Sequence, residues 1–201
     1  FRHEKYEKYK AGRKGMPDEL AQQLPILKDI LRYMGYAVLE REGYEADDII
    51  GTLAASAVES GGECFIATGD RDSLQLVKEK YGVSPRQLID VKALMGDSSD
   101  NIPGVAGIGE KTALSLISQF GSLDGVYADI DSEEIRESVR AKLIAGKESA
   151  YMSYELGEIY TSVPDISAAL CKEGRRDDVE LSRILTRLEM YKIMERLGLS
   201  P

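Results

Sequence analysis

The chain has 201 residues, with 26 Lys+Arg against 35 Asp+Glu, one histidine and a formal net charge of −9. The lone His3 and the two distant cysteines, Cys64 and Cys171, argue against Ser-His-Asp machinery, multi-histidine metal sites, zinc sites and a disulfide framework, and they suit a reducing cytoplasm. At 43% hydrophobic and 30% charged the composition is globular. No apolar run approaches the roughly 20 residues of a membrane helix, and Phe1-Arg2-His3-Glu4-Lys5 is too charged for a secretory signal. Without a starting Met, the chain is expected to begin inside a longer protein. By itself, −9 argues against a nucleic-acid partner, because phosphates repel acidic surfaces.

Residues 1–15 are basic and aromatic (Arg2, Lys5, Tyr6, Lys8, Tyr9, Lys10, Arg13, Lys14) and read from composition alone as a solvated helical face. From Pro17, Leu20, Leu24, Leu27, Leu31 and Met34 recur at helical spacing. Pro25 is predicted to kink or split this helix, and Gly35 to end it. Ala37-Val38-Leu39 reads as a short strand. A helix follows from Glu45 to about Ser60, with Ala46, Ile49, Ile50, Leu53 and Ala57 as its buried stripe. After Gly61-Gly62, the apolar run Cys64-Phe65-Ile66-Ala67 reads as a buried strand of a parallel sheet. This alternation predicts an α/β layered fold.

Ser84-Pro85-Arg86-Gln87 is a capping box with proline at the first helical position. Its helix carries Leu88, Val91 and Met95 inward and stops at Gly96. Short helices follow: one striped by Ala113, Leu114, Ile117 and Phe120 and closed by Gly121, one opened at Ser132 and stopped by Gly146, and one marked by Leu181, Ile184, Leu185 and Leu188. The expected boundary lies near Gly96, between an α/β half over 1–95 and a helical half over 96–201.

Three acidic clusters stand out. Gly43-Tyr44-Glu45-Ala46-Asp47-Asp48 opens a helix, where acids routinely serve the dipole and the cap, and taken alone the cluster reads that way before it reads as a ligand site. Thr68-Gly69-Asp70-Arg71-Asp72 leaves an apolar strand, where an Asx-turn competes with an ion site at the carboxyl end of a sheet. Gly96-Asp97-Ser98-Ser99-Asp100-Asn101 is a turn by composition. Their joint occurrence favours a hard divalent ion, because carboxylates are what Mg²⁺ and Mn²⁺ select. Pro103-Gly104-Val105-Ala106-Gly107-Ile108-Gly109-Glu110-Lys111-Thr112 is the most specific signal. Its glycines allow close approach, the following helix offers free N–H groups, and Lys111 and Thr112 add a charge and a hydroxyl for a phosphate. Glu110 before the lysine excludes a Walker A loop.

These segments, in this order and with Phe1-Arg2-His3-Glu4 and Tyr9-Lys10-Ala11-Gly12-Arg13 ahead of them, resemble the 5′ nuclease domain of bacterial DNA polymerase I, a relative of the flap endonucleases. The resemblance covers essentially the whole chain. It implies an α/β fold with a twisted, mostly parallel sheet and flanking helices (PIN-like), plus a C-terminal helical lobe carrying a helix–hairpin–helix. It implies a 5′-3′ exonuclease acting on DNA with a 5′ flap, nick or RNA primer, using two Mg²⁺ or Mn²⁺ ions in the cytoplasm, with polymerase domains following. Glu45, Asp47, Asp48, Asp70, Asp72, Asp97 and Asp100 match metal ligands of the family. Lys10 and Arg13 match the cations that meet the scissile phosphate, Tyr9 a base-stacking aromatic, and Arg2 a residue of that gateway. Gly104, Gly107, Gly109, Lys111 and Thr112 match the duplex-binding hairpin, where relatives hold K⁺. The family's first strand, two upstream aspartates and a segment between Val77 and Lys78 have no match here. The competing expectation is therefore a catalytically silent DNA-binding module using the hairpin only. A small-substrate phosphatase is a third reading, which the basic segment and the hairpin oppose. Seven of the 35 acids would then serve the ion site, so the global charge says little about the DNA-facing surface.

Overall fold

The computed structural model describes residues 1–70, 84–172 and 174–200. Among them the chain is helical. A four-residue helix, α1 (Arg2–Lys5), leads into a loop over 6–17 and then into α2 (Asp18–Tyr33). That helix runs without a break through Pro25. Proline removes one N–H and crowds the preceding turn, yet its neighbours Ile26 and Ile30 hold the helix against α9 (Asp178–Arg187) and α10 (Tyr191–Leu197) by packing on Ile184, Leu185 and Met194. Of the predicted stripe, Leu24, Leu31 and Met34 are half-buried, whereas Leu20 and Leu27 are exposed.

α3 (Ala46–Glu59) starts at Glu45 as expected. Its contact face is polar as well as apolar. Asp48, Thr52 and Ser56, four residues apart, accept the backbone N–H groups of Tyr160 (2.8 Å), Val163 (3.0 Å) and Ala168 (3.1 Å). One helix rail thus supplies acceptors to backbone N–H groups of the irregular segment between Tyr160 and Ala168. Of the expected apolar stripe, Ile49 is buried, whereas Ala46 is exposed.

The two predicted strands do not form. Among the described residues, 37–39 and 64–67 take part in no strand ladder, and Phe65 is 91% exposed. Among the described residues the only ladder contact is the Asp97–Ile102 bridge. A strand exists only through its partners, and an apolar run without neighbours stays extended and open.

The helical core is built by α4 (Pro85–Met95), α5 (Glu110–Phe120), α6 (Leu123–Ala128), α7 (Glu137–Ala145) and α8 (Lys147–Gly157). Ser84 caps α4 reciprocally with Gln87: the Gln87 N–H donates to Ser84 Oγ (3.4 Å), and the Ser84 N–H donates to Gln87 Oε1 (2.7 Å). Val91, Ala93 and Leu94 of α4 pack with Val105, Ile108, Ala113, Ile117, Val126, Leu143 and Ala150, so α4 belongs to the helical core and not to the first half of the chain. Met95, predicted inward, lies at the surface. α7 starts at Glu137, later than the Ser132 signal.

Candidate active site

The loop over 6–17 folds back over α3 and the 97–102 turn. Lys10 sits in the left-handed region (φ 54°), a conformation that costs about 1–2 kcal/mol in a residue with a Cβ. Its backbone N–H donates to Asp100 O (2.8 Å), and the Asn101 side chain donates to Lys8 O (2.7 Å). These bonds fix the loop on the turn. The result is a recess of about 370 Å³ whose lining includes Lys10, Arg13, Glu45, Asp47, Asp70 and Asp100.

Inside it, Lys10 Nζ lies 2.7 Å from Glu45 Oε2 and 3.6 Å from Asp100 Oδ2, so one ammonium bridges carboxylates from two elements. Arg13 pairs with the other Asp100 oxygen. Tyr9 donates its hydroxyl to Glu45 Oε2 (3.4 Å). Burial, reinforced by Glu45, raises the Tyr9 phenol well above its ordinary value. At 2% exposure Tyr9 packs on Ile102 and Leu156, so the expected base-stacking aromatic is a core residue here. The Lys10 ammonium also lies over the Tyr9 ring (4.9 Å to the centroid) and His3 meets it edge-to-face, so little of the ring is left open to a base.

Arg2 and Asp48 also depart from expectation. Arg2 is buried, and its guanidinium forms a bidentate pair with Asp48 (2.7 and 2.8 Å) while donating to Leu156 O (3.0 Å) and Glu158 O (2.6 Å). Asp48 is fully buried, and each of its oxygens takes a second donor, Tyr160 N–H on one and Glu45 N–H (3.0 Å) on the other. Burial alone would raise the Asp48 carboxyl; the Arg2 hydrogen bonds and the two N–H donors outweigh it and hold the group below the ordinary range. A carboxylate with both oxygens doubly bonded inside the protein presents none to an ion. Asp97 is likewise engaged, by Lys92 Nζ (3.1 Å) and by the Ser99 N–H (2.9 Å) and hydroxyl (2.6 Å), and it does not line the recess. Burial pushes its carboxyl up, but Ser99 and Lys92 bring it below the ordinary value. Asp72 and the Val77–Lys78 junction lie outside the described residues.

The structure thus brings Glu45, Asp47, Asp70 and Asp100 to one recess. Among the described residues no three acids converge on a common point as a metal-holding group. The donor chemistry nonetheless fits a hard cation, and the Lys10 ammonium already sits between two of the carboxylates.

The hairpin divides its glycines between two tasks. Gly104 is buried; its N–H donates to Ser153 Oγ (3.0 Å), and its carbonyl accepts from Ser149 Oγ (2.6 Å). It therefore anchors the hairpin and does not face a duplex, contrary to the sequence expectation. Gly107, Gly109 and Lys111 are exposed, and Thr112 is half-buried. Gly109 precedes α5 with no side chain to cap the first N–H groups. The Gly107 carbonyl accepts from Lys142 Nζ (3.0 Å), a cation contributed by α7 that the sequence did not single out. Its signal is faint: a lysine 35 residues away with no local motif.

An oxygen-lined recess closed by a lysine and an arginine thus lies beside a helical lobe with an outward glycine hairpin, an arrangement in keeping with a nuclease. The chain belongs to the 5′-3′ exonuclease family. Family models for the 5′-3′ exonuclease N-terminal resolvase-like domain and C-terminal SAM fold match residues 1–99 and 83–178. DNA polymerase I of Caldicellulosiruptor bescii is 42% identical across 99% of this chain, and the thermostable DNA polymerase I of Thermus thermophilus is 41% identical across 99%. The chain spans about a quarter (26%) of each. The first alignment runs over 228 positions, more than the 201 residues available, so that relative carries residues with no counterpart here. The solved structure of T5 5′-exonuclease with divalent zinc ions bound superposes with a TM-score of 0.65 at 26% identity, covering 92% of this chain and 79% of that one. No helix among the described residues is long and apolar enough to cross a membrane.

Proposed function

We propose that this chain is the 5′ nuclease part of a DNA polymerase I, hydrolysing phosphodiesters at 5′ flaps, nicks and RNA primers in the cytoplasm. The observation that carries this reading is the shared recess, where Lys10 and Arg13 meet Glu45, Asp47, Asp70 and Asp100. Glu45, Asp47, Asp70 and Asp100, joined by Asp72 and Asp97 on the family match, would hold two Mg²⁺ or Mn²⁺ ions. Ions there supply water activation and neutralise the leaving oxygen. Lys10 and Arg13 then turn from the acids to the phosphate, where their charge offsets what develops during cleavage. Gly107, Gly109, Lys111 and Thr112 grip the downstream backbone without reading bases, and K⁺ at the hairpin carbonyls would add to that grip.

A second reading, a DNA-binding module without catalysis, is favoured by one observation: Lys10 and Arg13 already neutralise Glu45 and Asp100. A labelled 5′-flap duplex, with and without Mg²⁺, separates the two. Cleavage that needs Mg²⁺, and that Asp70→Asn abolishes while duplex binding persists, supports the nuclease. Salt-sensitive binding without cleavage at any metal concentration supports the module, and cleavage by Asp70→Asn at the parent's rate removes the recess from the mechanism.

A further inference from the structure

We infer that Arg2 and Asp48 form a positioning pair for the carboxylate recess, with Asp48 acting through Glu45 and not as a ligand itself. The inference rests on the nuclease reading above and deepens it. Three segments meet at the pair. Arg2 lies on α1, whose chain continues directly into Tyr9, Lys10 and Arg13. Asp48 lies in the first turn of α3 and accepts the backbone N–H of Glu45 (3.0 Å), the residue whose carboxylate faces Lys10. The third segment supplies Leu156 O and Glu158 O to Arg2 and Tyr160 N–H to Asp48.

Beyond the two bonds that join the pair, Arg2 donates to two backbone carbonyls and Asp48 accepts from two backbone N–H groups. A planar guanidinium reaches a carboxylate with two parallel bonds and still offers donors to two carbonyls, which an ammonium cannot do at once. The pair sets where α3 begins relative to the basic loop, and so sets the 2.7 Å approach of Lys10 to Glu45. A group that orients ligands from behind typically changes metal affinity by about 10- to 100-fold when lost. Such a group leaves the number of bound ions unchanged.

The test is calorimetric Mn²⁺ titration of the whole chain, at a temperature where thermal melts show every variant folded, for the parent, Arg2→Lys, Asp48→Asn and the double variant. We expect each single change to weaken Mn²⁺ binding about tenfold at unchanged stoichiometry. The double variant should be no worse than either single, because both remove one shared constraint. A lower ion count in Asp48→Asn, losses that multiply in the double variant, or parent-like affinity in Arg2→Lys would each overturn the inference. A lowered melting temperature with unchanged affinity would also overturn it, leaving the pair a stabilising element only. If Asp48→Asn does not fold, Arg2→Lys alone decides, since it keeps a charge beside the buried carboxylate. A parent chain that binds no Mn²⁺ defeats the nuclease reading itself; the other failures leave that reading standing.

Discussion

Gly104→Ala is expected to destabilise the fold severely, although the hairpin sequence suggests a change in DNA binding. A Cβ at Gly104 would lie 2.2 Å from Gly96 N and 2.6 Å from Met95 C, both backbone atoms that cannot rotate away. The residue also has φ 62°, where alanine costs about 1–2 kcal/mol. Relieving the clash means moving the hairpin off the end of α4. That movement breaks Val105 N–H to Leu94 O (2.8 Å) and the two serine bonds of Gly104, at about 1 kcal/mol each. The total is about 4 kcal/mol, and for a chain of this size it lowers the melting temperature by roughly 8–16 °C. Thermal denaturation followed by circular dichroism reads this directly. Gly109→Ala is the control, because nothing lies within 4 Å of its Cβ and its φ is an ordinary −98°. Gly104→Ala melting within a few degrees of Gly109→Ala would refute the close-packing account.

Asp90 is buried in α4, where it accepts the Leu123 N–H (2.9 Å). Burial, only partly offset by that bond and aided by nearby Asp124, raises its carboxyl. The folded state thus holds the proton more tightly than the unfolded state. Stability from this site is present below the ordinary value of 3.8 and declines as pH rises through the folded value. Asp90→Asn keeps the acceptor and should stabilise the chain at pH 7 but not at pH 3; urea denaturation at the two pH values checks the sign. Lys111→Ala should weaken duplex binding uniformly across sequences and reduce the slope of log affinity against log salt by about 1, measured by fluorescence anisotropy. An unchanged slope would place Lys111 away from the backbone.

Local signals in the sequence were reliable where the physics is local. The Ser84 capping box, the start of α3 at Glu45, the ends at Gly96 and Gly121 and the stripe of α9 all stand in the structure, because caps, turns and one-face periodicity involve residues within four positions. The family, too, was legible from ordered motifs. The two strands were not, since an extended run has no pairing energy of its own and depends on distant partners. Nor was the start of α7, where the acidic Ser132 signal lost to a turn whose carbonyls bind Arg140.

The candidate site divides along the same line. Sequence alone determined that carboxylates, a basic arm and a phosphate-sized hairpin coexist in one chain without histidine or cysteine chemistry. Only the tertiary structure decided which acids share a recess, that Asp48 is claimed by Arg2, that Asp97 is claimed by Lys92, that Tyr9 is core and that Gly104 is packing. Motif spacing places like-charged acids near one another along the chain, but the partner that neutralises each one is chosen in space. Arg2 is 46 residues from Asp48 and 154 from Leu156. A desolvated charge takes the donor that the fold delivers, and no local pattern records that choice.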